Sequence, residues 1–214
     1  MKYKIYKIII VNLFIIAVIL LGSIIYKYQQ RQANEKESKK VLEEFEQQQD
    51  NNEEDNENLQ DNASEENDTK ENTKIKMYGY EVIGTIKIPK IGIEYPILSI
   101  ETSNPEKTKE PLKFSVVRYW GGEVNQLGNL SIAGHNNYDG TMFGKTKKLE
   151  VGDNVELKDL NNQTITYQIY HKFVTNPNDI SVLKTENDQI REITLITCTQ
   201  GNKERLILKA KEIK

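Results

Sequence analysis

Residues Ile193 to Ala210 read ITLITCTQGNKERLILKA. Ile193 to Cys198 is an apolar, β-branched run, Thr199-Gln200-Gly201-Asn202 is a turn, and Arg205 to Ala210 is a second apolar run. Runs of this length and composition on either side of a Gly/Asn turn predict two strands rather than a helix. The same pattern recurs upstream. Val82 to Ile88 (VIGTIKI) alternates and ends at Pro89. Ile91 to Leu98 (IGIEYPIL) resumes, with Pro96 pointing to an edge or a bulge. Phe114 to Trp120, Asn129 to Ala133, Asn154 to Leu157 and Thr164 to Tyr170 follow. Eight short runs separated by turns predict an all-β domain over residues 76-214, a closed barrel or a sandwich. A domain of about 140 residues can bury roughly two-thirds of its unfolded surface. Helix signals are thin: short ones at Asn104 to Lys109 and Thr141 to Leu149, and a turn at Asp179 to Leu183. There is no internal repeat.

The 214 residues carry 29 Lys+Arg and 32 Asp+Glu, a formal net charge of -3. That average hides three unlike parts. Residues 1–49 have 8 basic and 5 acidic side chains, residues 50–73 have 1 and 10, and residues 74–214 have 20 and 17. The acidity belongs to one short tract. No domain is strongly basic, which argues against a nucleic-acid partner held through phosphates. The chain has 1 cysteine, Cys198, so intrachain disulfides and Cys-rich metal sites are excluded. No spacing of Asp or Glu marks a calcium cage, and no cofactor is expected.

Ile8 to Ile25 reads IIIVNLFIIAVILLGSII, without a charge. At about 1.5 Å rise per residue, this run of 18 residues spans roughly 27 Å, close to the hydrocarbon thickness of a bilayer. Tyr3, Tyr6, Tyr26 and Tyr28 flank it, where amphipathic rings prefer to sit. Lys2, Lys4 and Lys7 precede it, and Lys27 and Arg31 follow. This predicts a cytoplasmic tail (1-7), a signal-anchor helix (8-25) and a domain outside the cell. The run exceeds a usual signal-peptide core, and no clear small-x-small site follows it. Residues 26-75 are expected to be a linker. Arg31 to Gln49 could be helical, whereas Asp50 to Thr73 has too little apolar surface to offset the entropy of ordering and reads as a disordered spacer.

The chemistry converges on Cys198. It closes the run ITLIT at the end of a strand, where a nucleophile is held rigidly and stays accessible. A thiol needs a base or a nearby positive charge to act as a thiolate near neutral pH. The chain has 2 His. His135 lies in SIAGHNN, at a strand-to-loop exit marked by Gly134 and a polar run. His171 lies in QIYHKF, a period-2 stretch, and reads as a surface residue. A cysteine protease of another fold, passing the acyl group to water, would use the same pair. A non-catalytic surface-binding β-domain with an inert thiol is a further alternative.

Thr194-Leu195-Ile196-Thr197-Cys198 matches the TLxTC signature of sortases, and Arg205 opens the Arg-apolar strand RLILKA that follows it in that family. GNLSIAGHN (Gly128 to Asn136) resembles the family's GN-x-x-x-x-GH segment, IGTIKIPKIGIEYPI (Ile83 to Ile97) its opening strand pair, and DGTMFGKTKKLEVGD (Asp139 to Asp153) the stretch after its histidine. The resemblance covers about residues 80-214, in the family's order. It implies an eight-stranded sortase-type β-barrel and a membrane-anchored cysteine transpeptidase of Gram-positive bacteria. His135, Cys198 and Arg205 fall on its catalytic positions; the neighbouring Thr197 is expected to bind substrate or orient the cysteine, with a structural strand threonine as the alternative. The implied partners are sorting-signal peptides of secreted surface proteins, LPxTG-like, and an amine of a peptidoglycan precursor. There is no Asp-Pro-aromatic lid and no C-terminal span, which argues against a pilin-polymerising member. Thr175 to Arg191 takes the place of the family's recognition loop, and the seven-residue step from Cys198 to Arg205 predicts a small loop over the cysteine.

Overall fold

The computed structural model describes residues 2–57, 74–99, 105–185 and 187–213. A helix, α1, runs Lys2–Glu57. Among the described residues nine strands follow: β1 Lys76–Met77, β2 Tyr80–Ile88, β3 Ile93–Ser99, β4 Val116–Trp120, β5 Gly128–Ala133, β6 Asn154–Lys158, β7 Thr164–Thr175, β8 Arg191–Thr199 and β9 Glu204–Glu212. They pair in the order β1-β2-β3-β4-β5-β8-β9-β7-β6, and β2 also pairs with β6. That last pairing closes β2 to β9 into an eight-stranded barrel, so neither β2 nor β6 is left as an open edge. Two-residue β1 is an appendage on β2.

Each of the eight runs read as strands is one. β7 extends five residues past Tyr170 through a bulge between Ile169 and His171, so its outer half lies against β9. Pro96 is not at an edge, because β3 lies between β2 and β4. Pairing with β4 starts only at Ile97, so the donor that proline lacks takes no bond from that side. The expected helices reduce to single 3₁₀ turns at Pro105–Lys109, Thr146–Lys148 and Ser181–Leu183, while Asn104 lies outside the described residues.

Strand alternation divides the buried side chains between two faces. Ile193 and Leu195 on β8 and Leu208 and Ala210 on β9 enter one core with Ile86, Ile97, Ile132 and Tyr167. Ile196 and Ile207 point the other way, into a second cluster with Val82, Leu98, Val117 and Ala133.

The chain divides into two compact units, residues 1–37 and 38–214. The first holds a helical stretch long and apolar enough to cross a membrane. The second begins inside α1, where the polar linker reading needs a correction. Val41 and Phe45 are each 1% exposed and belong to the second cluster with Met77 and Val82. Gln49 donates to the Leu160 carbonyl at 3.0 Å. Positions 38, 41, 45 and 49 fall on one stripe of a helix, so two large apolar residues suffice to make a packing face. Asp50 to Glu57, expected to be disordered, continue this helix; residues 58–73 lie outside the described residues.

Candidate active site

Parallel pairing of β5 with β8 ends at Ala133↔Ile196, with a last main-chain bond from Gly134 N to the Ile196 carbonyl at 3.1 Å. Both chains then leave the ladder at the same rim of the barrel. This brings His135, just past β5, and Cys198, near the end of β8, to one opening. Cys198 pairs with Arg205 of β9, and only residues 200–203 separate the two strands, a 3₁₀ turn with Gly201 at φ 65°. The loop over the cysteine is as small as the spacing predicts.

His135, Thr197, Cys198 and Arg205 all border one cleft of about 350 Å³. His135 is exposed and Cys198 half-buried, so both side chains can be reached from the cleft. The Arg205 guanidinium donates from one Nη to the carbonyls of Asn202 at 3.2 Å and Glu204 at 3.1 Å, which ties it to the turn between β8 and β9. His171 is exposed on β7 with its ring 4.5 Å from that of Phe173, and it is not among the residues around the cleft. The Thr197 hydroxyl makes an internal hydrogen bond at the edge of the cleft. Thr197 is 4% exposed, and its Oγ1 donates to the Gly134 carbonyl at 2.7 Å.

The histidine loop is shaped by two close approaches. A Cβ on Gly134 would lie 2.6 Å from the buried Phe143 ring, and one on Gly144 would lie 2.0 Å from the Asn137 carbonyl. Only glycine lets the chain fold back so tightly. The return is fixed by Phe143 N donating to the His135 carbonyl at 3.0 Å and by Met142 N donating to the Tyr95 hydroxyl at 2.9 Å.

Thr175 to Leu183 forms one wall of the cleft and Thr108, Leu112 and Tyr119 another. Ile180 is 70% exposed there, an apolar residue in a polar loop. That isolated isoleucine in NPNDISVL was the available signal for an apolar wall; Leu112 and Tyr119 carried none. This wall is tied down from behind. Asn129 donates to the Leu183 carbonyl at 2.9 Å. Buried Glu192 accepts from Lys209 at 2.8 Å, Tyr170 at 2.9 Å and Thr185 at 3.0 Å, and Lys209 also donates to the Lys184 carbonyl at 3.0 Å. Asp179 caps its own turn, accepting from the hydroxyls of Ser181 and Thr175, and these bonds hold its carboxyl below the ordinary value. A larger cavity of about 570 Å³ lies among Lys74, Arg118, Asn125 and Asp159 and contains neither thiol nor imidazole. Among the described residues, no group of three or more His, Cys, Asp or Glu could hold a metal ion.

A model of the Sortase domain matches residues 86–213. The chain is 26% identical to Sortase A of Bacillus anthracis over 213 residues, covering 97% of this chain and 94% of that protein. It is 26% identical to Sortase A of Staphylococcus aureus over 161 residues, 73% of this chain and 74% of that one. A solved Sortase D5 transpeptidase from Clostridium perfringens superposes with a TM-score of 0.61 at 29% identity, covering 84% of this chain and 99% of that one. A C. perfringens sortase C solved with its C-terminal cell wall sorting motif superposes with a TM-score of 0.53 at 25% identity, covering 66% and 77%. With the matched domain spanning most of the barrel and the thiol at its rim, the chain belongs to the sortase family and is a cysteine transpeptidase.

Proposed function

We propose that the enzyme cleaves an LPxTG-like C-terminal sorting signal of secreted proteins and joins the new carboxyl end to an amine of a cell-wall precursor. The observation that carries this reading is the meeting of the sole thiol, one imidazole and one guanidinium around a single cleft with an apolar wall. A relative solved with the C-terminal cell wall sorting motif supports a substrate of this kind.

In the first half, the Cys198 thiolate attacks the carbonyl carbon between Thr and Gly of the signal. The C–N bond breaks, the departing amine takes a proton from the His135 imidazolium, and a thioester remains. In the second half, the acceptor amine attacks the thioester and gives a proton to His135, and the thiolate is released. Arg205 donates to the oxyanion that develops in each step. A guanidinium cannot lose its proton at working pH and presents a planar fork, so it suits that task better than an ammonium. The apolar helix would anchor the enzyme with its N-terminus inside and the barrel outside, where secreted substrates emerge.

The test is an amine-dependence assay with a fluorogenic sorting peptide. Product carrying the added amine supports the reading. Hydrolysis at an unchanged rate whatever amine is supplied would contradict it.

A further inference from the structure

Main-chain pairing between β5 and β8 ends before either reacting side chain is reached. Two side chains continue it. The Thr197 hydroxyl donates to the Gly134 carbonyl at 2.7 Å, and the Asn136 amide nitrogen donates to the Cys198 carbonyl at 2.8 Å. A carbonyl can be met only by the amide's N–H side, so the orientation of Asn136 is fixed by its partner. These bonds fall on the residues immediately before and after His135. The carbonyl of His135 is itself held by Phe143 N at 3.0 Å, and Asn136 bridges to Met142 in the returning arm. The histidine backbone is therefore clamped on three sides, and one clamp grips the main chain of the nucleophile itself.

We propose that Asn136 is a positioning residue that sets the separation of the His135 imidazole and the Cys198 sulfur. This rests on the catalytic reading of those two residues. Asn136 is exposed, so its bond competes with water and contributes little to global stability. Its effect is geometric. A displacement of about 1 Å between reacting groups can lower a rate about 10²-fold. Thr197, buried on the inner side, holds the loop's entry, and Asn136 holds its exit over the thiol.

Residues 38–214 carrying Asn136→Ala or Asn136→Asp are compared with the unaltered chain and with Cys198→Ala. Asp keeps the shape of Asn while its ionised form loses the donor. Three readouts are taken: kcat and KM with a sorting peptide and an amine, thermal unfolding, and the pH dependence of iodoacetamide alkylation. Alkylation reports on Cys198 alone, as the chain has 1 cysteine. Both Asn136 variants are expected to lose about tenfold to 10²-fold in kcat with KM within about twofold. Their unfolding should be nearly unchanged, and their alkylation midpoint moved in pH. Wild-type kcat, a loss confined to KM, or a fall in kcat with an unmoved alkylation midpoint would each overturn the role. Turnover by Cys198→Ala would instead overturn the catalytic reading beneath it.

Discussion

Cys198 lies directly opposite Arg205 across the β8–β9 ladder, the two joined through one short turn. The pairing puts the thiol and the guanidinium on the same side of the ribbon, and the Arg205 Nη bonds to the Asn202 and Glu204 carbonyls keep the head group at the cleft. A lysine there would keep the charge and lose the fork. Arg205→Lys is expected to lower kcat/KM about 10²-fold or more, the usual cost of removing an oxyanion donor. Steady-state kinetics with a sorting peptide check this, and unchanged turnover would remove the guanidinium from the mechanism.

Glu192 and Lys209 form an ion pair with side chains only 5% and 14% exposed, directly behind the loop that walls the cleft. Removing one member of a buried pair leaves the other charge uncompensated. Lys209→Met is expected to destabilise the domain by about 3 kcal/mol, and Glu192→Gln added to it should recover part of that loss. Urea unfolding measures both. A sorting-peptide KM that rises in Lys209→Met would show that the loop loosens with its anchor; an unchanged KM would confine the pair to stability.

Phe45 is fully buried against the barrel, so the helical segment from Ser38 is part of the catalytic unit's core. Phe45→Ala is expected to cost about 3 kcal/mol, as a cavity and lost burial add. A chain beginning at Lys74 should unfold at lower temperature than one beginning at Ser38, because Met77 and Val82 lose their cover. Equal melting temperatures for the two chains would contradict this packing.

Asp179 is held in its ionised form by the Ser181 hydroxyl first, then by Thr175 and the Ser181 amide. Its folded value lies below the unfolded one, so this contribution is complete above the ordinary carboxylate range and is lost as pH falls through the folded value. Between roughly pH 6 and 9 the loop should therefore keep its order on this account. Asp179→Ala is expected to raise KM severalfold with little change in kcat. A kcat effect of similar size would mean the aspartate acts on the chemistry rather than on the wall.

Much of the barrel was legible because strands announce themselves locally. Every run from Val82 to Ala210 alternates or is β-branched, and Gly, Pro or Asn punctuates the turns. The rim was legible through Cys198 and His135, each a reactive residue where an apolar run gives way to turn residues. What stayed hidden depends on contacts distant in sequence. Gln49 reaches Leu160, Asn136 reaches Cys198, and Lys209 reaches Glu192 and Lys184. Gln49 and Asn136 are polar residues in polar settings, and Lys209 is a lone charge in an apolar run; none is distinguishable along the chain from a solvated residue. Val41 and Phe45 were masked in the same way, two apolar residues in a segment whose charge suggested a spacer. Thr197 sat in a motif that suggested substrate contact, and only the fold showed the Gly134 carbonyl within reach of its hydroxyl.

In the proposed reaction Cys198 carries the acyl group between a sorting peptide and an amine. Intact-mass spectrometry of residues 38–214 with a sorting-signal peptide, first without and then with an amine acceptor, tests it most directly. The expected result is an adduct of the peptide's N-terminal portion on Cys198 that disappears as the amine conjugate forms, and no adduct in Cys198→Ala. Conjugate formation by Cys198→Ala, or an adduct mapped to any other residue, would contradict it.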